Sequence, residues 1–172
     1  MFINYIKDFF IKKMLSNRLQ NVKTSSLILP IKTIGLLIDE SYFFEKEELI
    51  KELHANGIFE YNIKTIVYLD KYKKKEQYTR HTFGMKHLNW KAEISDLKVL
   101  DFINEDFDLL ISYYDIEKSI LLHITNSSKA KFKAGFSPVD KRLNHLMITT
   151  NAENYKVFVQ ELFKYLKILN KI

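Results

Sequence analysis

Three short apolar runs, each closed by an aspartate, constrain this chain more than any other feature. Thr33–Ile38 (TIGLLI) is followed by Asp39, Asn62–Leu69 (NIKTIVYL) by Asp70, and Phe107–Tyr114 (FDLLISYY) by Asp115. Runs this short and this continuously apolar are the pattern of strands covered on both faces, as parallel strands flanked by helices are. Ligands in such sheets gather at the carboxyl ends of the strands. The three aspartates therefore mark both the architecture and the place where a site would lie.

The segments between the runs read as helices. Asp39-Glu40-Ser41 offers capping chemistry, Glu45, Glu47 and Glu48 favour the positive end of a helix, and Leu49, Ile50 and Leu53 form its apolar stripe up to Gly57. Ser95 is placed to cap a helix over 96–104 bearing Leu97, Leu100 and Ile103, and Asp115 to cap one over 116–126. Residues 130–136 alternate, with Ala130, Phe132, Ala134 and Phe136 facing one way and Lys131, Lys133 and Gly135 the other. That predicts a half-exposed strand near a sheet edge, guarded by its lysines. After a short strand at 146–149, Thr150–Glu153 spells a capping box. It opens a helix with a stripe of Tyr155, Phe158, Val159, Leu162, Phe163, Leu166 and Leu169.

Short apolar strands alternating with amphipathic helices predict a single Rossmann-like three-layer α/β domain over 30–172, with a mostly parallel sheet of about five strands. An α+β sheet with helices on one face is the competing architecture. Residues 1–20 form an additional N-terminal amphipathic helix: Phe2, Ile6, Phe9, Phe10 and Met14 share one face, Ile3, Tyr5 and Ile11 widen it, and polar 21–29 reads as a linker. Lys7 and Asp8 interrupt the apolar run, no basic segment precedes it and no small-residue cleavage site follows, so it is no signal peptide. The cytoplasm is the expected compartment. The helix could pack on its own domain, join two copies as a homodimer, or lie on an anionic membrane surface.

Composition removes whole classes of chemistry. Across 172 residues there is no Cys, which excludes disulfides, thiolate metal sites and thiol nucleophiles. Only four Gly leave little room for glycine-built phosphate loops. The turn after the first strand, Asp39 to Phe44, has neither G-x-G-x-x-G nor a P-loop, and its acidic pair would repel a pyrophosphate. No G-x-S-x-G elbow occurs. No cofactor is expected. Nor is a metal, since His81 and His87 do not have a recognised ligand spacing.

The net charge of +6 invites a nucleic-acid reading, but of 27 basic residues only Arg18, Arg80 and Arg142 are arginines. Arg is the side chain that forks onto guanine and phosphate. The excess reads as a Lys-rich solubilising background, and no specific nucleic acid is expected. Its main concentration is 71–91, where Lys73, Lys74, Lys75 and Arg80 lie among Tyr72, Tyr78, Phe83 and Trp90. Such interleaving could serve an anionic surface; the alternative is a solvated loop pinned by Trp90.

The candidate ligand-binding residues are Asp39, Ser41, Asp70 and Asp115 at the strand ends, with Thr149, Thr150 and Asn151 after the last strand. Clustered carboxylates suit a cation, a sugar or general-base chemistry; alternatively they only cap helices. No catalytic residue is assigned.

Five blocks carry a resemblance: His87–Trp90 (HLNW), Phe107–Tyr114, Lys129–Phe136 (KAKFKAGF), His145–Ile148 (HLMI) and Lys164–Lys171 (KYLKILNK). Together they resemble an uncharacterised bacterial family of short Rossmann-like proteins, a domain of unknown function, most clearly over 30–172. The resemblance implies no activity and no catalytic residue. Asp108–Tyr113, residues 116–126 and Gly135-Phe136 are also similar in order to the acceptor-side half of heptosyltransferase-type glycosyltransferases. That similarity implies a half-unit kept for binding or assembly, because the chain lacks room for a nucleotide-sugar domain. The expected function is non-enzymatic binding of a partner or small molecule. The alternatives are an enzyme remnant using the strand-end carboxylates, and an anionic-surface binder through 1–20 and 71–91.

Overall fold

The computed structural model describes residues 2–18, 21–22, 30–71, 78–89, 91 and 93–172, with backbone alone at 2–5 and 17–18. The three runs become β1 (Ile34–Asp39), β2 (Ile63–Tyr68) and β4 (Leu109–Tyr113), joined by β3 (His81–Phe83), β5 (Phe132–Phe136) and β6 (Leu146–Ile148). They form one six-stranded sheet in the order β3-β2-β1-β4-β5-β6, every pair parallel. The sheet is thus wholly parallel, with one strand more than expected. The addition, β3, spans three residues inside a polar stretch, too short to show a period.

Five α-helices occupy the described residues: α1 (Phe2–Arg18), α2 (Lys46–Ala55), α3 (Leu97–Asn104), α4 (Ser119–Ser127) and α5 (Tyr155–Ile168). On one face of the sheet α2 packs with α5; on the other α4 meets both α1 and α3. This is the three-layer Rossmann-like arrangement, since right-handed crossovers deliver helices to opposite faces when strand order reverses. The core runs through every strand of the sheet. Tyr113, Phe136 and Phe158 interlock at its centre, with ring centroids 5.0, 5.1 and 4.6 Å apart.

Three local expectations need correction. First, β5 lies near the sheet edge, one strand in from β6, but it is not half-exposed: it pairs with β4 and β6, and all five of its residues are buried. Lys133 points into the protein, where its ammonium donates to the carbonyls of Thr125 (2.7 Å) and Asn126 (3.4 Å) in the last turn of α4. A lysine that closes a helix C-terminus looks, in sequence, like one that faces water. Burial without a counterion lowers its pKa to about 8.

Second, the predicted caps shift. Asp96, not Ser95, caps α3 by accepting from the N–H groups of Lys98 and Val99. Helices α2, α4 and α5 begin after Glu45, Lys118 and Asn154, none of which makes a side-chain capping bond. Asp39, Asp115 and Thr150 are therefore not helix caps.

Third, α1 packs through one flank of its apolar face, centred on Ile11 and not on Phe9 and Phe10. Lys7, Ile11 and Leu15, spaced i, i+4, i+8, are buried, while Phe9 is 56 % and Phe10 42 % exposed. The aliphatic stem of Lys7 is covered, and its ammonium donates to the Met85 carbonyl at 3.2 Å. Asp8 accepts from the Ser119 hydroxyl, which ties α1 to the start of α4.

Candidate functional site

Strand order reverses between β1 and β4: the chain moves outward from β1 to β2 and β3, then returns to start β4 on the other side. Such a switch point leaves a crevice between diverging loops. Asp39 ends β1 there, the β1–α2 loop carries Glu40, Ser41 and Tyr42, Tyr68 ends β2 with Asp70 two residues on, and the β4–α4 loop brings Lys118.

These groups form one network around the Lys118 ammonium. It lies 2.6 Å from Asp39 Oδ2 and 2.8 Å from Asp70 Oδ2. It also sits 4.8 Å from the Tyr42 ring centroid and 4.9 Å from that of Tyr68. The second oxygens of both carboxylates are held from elsewhere. Asp39 Oδ1 accepts from the Ser41 N–H at 2.9 Å, and Asp70 Oδ1 accepts from the Tyr68 hydroxyl at 2.9 Å. The Asp70 N–H donates to Ser41 Oγ at 3.0 Å, and the Glu40 N–H to the Tyr68 carbonyl at 3.0 Å. Beside the network Glu40 pairs with Lys46.

The electrostatics follow from position. The Asp39 side chain is only 4 % exposed, so its charge is tolerated because an ammonium and a backbone N–H satisfy it. Asp70 is 40 % exposed at the rim. Partial burial pushes the Asp70 pKa up, but the Lys118 ammonium and the Tyr68 hydroxyl outweigh that and leave it below its ordinary value. Burial, and then the adjacent Asp70 carboxylate, push the Tyr68 phenol well above its ordinary value. At neutral pH Asp70 is ionised and Tyr68 protonated. On the two loops that carry the cluster, Tyr42, Phe44 and Ile116 expose apolar surface.

Of the residues expected from sequence, Asp39, Ser41 and Asp70 thus converge. Asp115 and Asn151 belong to a separate group beyond β4 and β6, with Thr149 and Thr150 next to it in the chain. Asp115 accepts from the Ala152 N–H at 2.8 Å, and the Tyr113 hydroxyl donates to the Ala152 carbonyl at 2.7 Å. Asn151 Oδ1 accepts from the N–H and side-chain amide of Asn154. This group fastens the loop before α5. Lys118, Tyr42 and Tyr68 were not anticipated. Lys118 carries no motif, and its only signal was a demand: a buried strand-end aspartate that caps no helix requires a cation.

Of the basic cluster, Arg80 grips Glu47 through Nε (3.3 Å) and Nη2 (3.0 Å), and reaches Glu60 at 3.1 Å. Lys73, Lys74, Lys75 and Trp90 lie outside the described residues. His81 and His87 both face Asp96, at 2.9 and 3.8 Å. The Gly84 N–H donates to His87 Nδ1, which fixes the proton on the nitrogen facing Asp96, the tautomer that cannot ligate there. Among the described residues no group of three or more His, Asp or Glu is arranged to hold a metal ion, and no helix is long and apolar enough to cross a membrane.

Fold and crevice together define a Rossmann-like α/β protein with an acidic, lysine-filled cluster at its switch point. The chain belongs to a family of unknown function, DUF6913, whose model matches residues 7–169. No curated protein matches it, and no solved structure does.

Proposed function

We propose that the protein is a non-enzymatic binding protein that takes a small organic molecule in the switch-point crevice. The observation that carries this reading is the convergence of Asp39, Asp70 and Lys118, from three separate segments, between the rings of Tyr42 and Tyr68. A charged cluster at the mouth of an α/β sheet, with Tyr42, Phe44 and Ile116 exposed on the loops that carry it, suits a ligand with hydrogen-bond donors at one end and an apolar body at the other. Binding is favoured over catalysis because both carboxylates are paired with the Lys118 ammonium and the Tyr68 hydroxyl donates to Asp70, so the groups that could move a proton are already engaged with one another.

The test is a small-molecule screen by NMR against the wild-type chain and Asp39→Asn. Hits should shift signals of Tyr42, Asp70 and Lys118 and lose affinity in the variant. Turnover of a hit that Asp39→Asn abolishes would replace binding with catalysis; hits that all map elsewhere would remove the crevice as the site.

A second reading is pairing of two copies through α1, as a homodimer. Phe9 and Phe10 favour it: they stand exposed in edge-to-face contact at 6.0 Å on the side of α1 turned away from its own domain. Sedimentation equilibrium of the wild-type chain and Phe9→Glu decides it. A dimer that the variant dissociates supports the reading, and a wild-type monomer ends it.

A further inference from the structure

The switch-point cluster has the chemistry of an ammonium receptor that is already filled. Two carboxylates within hydrogen-bond reach and two aromatic rings within 5 Å surround a primary ammonium, and that ammonium belongs to the chain itself. Carboxylates and ring faces are the groups that together recognise alkylammonium ions. We propose that the cage of Asp39, Asp70, Tyr42 and Tyr68 binds the primary ammonium of a small alkylamine, and that Lys118 is its built-in competitor, displaced when the ligand enters. The inference rests on the crevice being a small-molecule site and names the class of molecule.

Four observations support it. The first is charge: among the described residues two carboxylates face one ammonium, a formal charge of −1 in a chain whose net charge is +6. The neighbouring Glu40–Lys46 pair balances itself and adds no cation. The second is that the cage is braced without Lys118. Ser41 N–H holds Asp39, Tyr68 hydroxyl holds Asp70, and the Asp70 N–H bonds to Ser41 Oγ. The acceptors therefore keep their places when the ammonium between them changes.

The third is origin. The cage is built from β1, β2 and their following loops, whereas Lys118 reaches in from the β4–α4 loop across the switch point. Its flexible four-carbon stem lets the ammonium swing away while the backbone stays at the N-cap of α4, where the Lys118 carbonyl accepts from the Leu122 N–H. The fourth is exposure at the rim. Asp70 and Tyr42 are 40 % and 62 % exposed, so one carboxylate and one ring of the cage meet solvent.

The experiment titrates 1,4-diaminobutane, with 1-butanol as a neutral control at equal ionic strength, into the wild-type chain, Lys118→Met, Asp70→Asn and Asp39→Asn. Binding is read from NMR signals of the Tyr42 ring and the Lys118 ε-methylene. In the wild-type chain the diamine should bind saturably and move the Lys118 signal, and the alcohol should not bind. Lys118→Met should bind the diamine at least tenfold tighter; Asp70→Asn, which keeps Lys118, at least fivefold weaker; Asp39→Asn should not bind it. Equal affinity in wild type and Lys118→Met overturns the competitor role. Absence of diamine binding in both overturns the ammonium site. If the alcohol or another neutral molecule binds at the crevice instead, the ammonium inference fails and the small-molecule reading stands. If no molecule of a broad set perturbs the crevice, both fail.

Discussion

The two sides of the switch point start from the same ingredients and end differently. On the β1/β2 side, Asp39 and Asp70 close their strands and point oxygens at a side-chain ammonium. On the β4/β6 side, Asp115 stands just past the end of β4 in the same way, yet its carboxylate accepts the Ala152 backbone N–H. The difference lies in which partner is available. A backbone N–H is fixed by its chain and can only be lost by unfolding the loop. An ammonium on a four-carbon stem can leave and be replaced. Position at the carboxyl end of a strand thus nominates a residue, and the kind of donor it meets decides whether it serves as fastening or as receptor.

Breaking the receptor side should cost the most. Lys118→Met leaves the nearly inaccessible Asp39 carboxylate without its cation, and an uncompensated buried charge costs about 3 kcal/mol. Urea denaturation should show that loss as a lower midpoint with an unchanged slope. A loss below about 1 kcal/mol, the range of exposed ion pairs, would mean that Lys118 and Asp39 are not coupled as drawn. Breaking the fastening side comes next. Asp115→Ala removes a charged hydrogen bond to Ala152 and should cost about 2 kcal/mol. Its signature is local: amide exchange should speed up across 149–154, while ligand titrations at Tyr42 stay as in the wild-type chain. Weakened binding in Asp115→Ala would merge the two sides into one site.

The contrast between the sides also explains what the sequence could reveal. The strands β1, β2 and β4 were legible because burial on both faces leaves a continuous apolar run, and Asp39, Ser41 and Asp70 were legible because they close such runs. The capping role expected for Asp39 was reasonable from residue type but failed on length: α2 starts at Lys46, seven residues on, so Asp39 cannot reach its first N–H groups. Lys118 was illegible because a lysine's partner is set by three-dimensional convergence and not by spacing. Lys133 misled for the same reason, since its ammonium answers carbonyls of α4 and its alternation imitates an exposed edge. Strand β3 has three residues, one of them a partly exposed histidine, and exists through pairing with β2.

A fourth carboxylate sharpens the rule at the opposite end of the sheet. Asp108, just before β4, accepts from the N–H groups of Lys32 and Thr33, the Thr33 hydroxyl and the Lys131 ammonium. Burial pushes its pKa up, but these donors dominate and lower it to about 2. Because the folded value lies below the unfolded one, Asp108 contributes stability that is fully present above about pH 4. That contribution is lost as the pH falls toward about 2. Asp108→Asn should cost about 1 kcal/mol at neutral pH and flatten the acid limb of a stability-versus-pH curve between those values. An unchanged acid limb would show that other carboxylates carry the acid sensitivity.

The smallest effect should come from the exposed rim of the receptor. Tyr42 is the one ring of the cage that is mostly exposed, and its contact with the Lys118 ammonium is open to water. Tyr42→Ala should therefore change folding stability by only about 0.5 kcal/mol, the worth of an exposed cation–π contact. Asp39 and Lys118 remain paired beneath it, so the fold has little use for the ring. If the ring is there for a ligand, the same variant should still weaken diamine binding severalfold, because it removes one of the two ring faces that meet the ammonium. A large stability loss would make Tyr42 part of the fastening, and an unchanged affinity would take it out of the cage. Stability and affinity are expected to separate at this residue, and only on this side of the switch point.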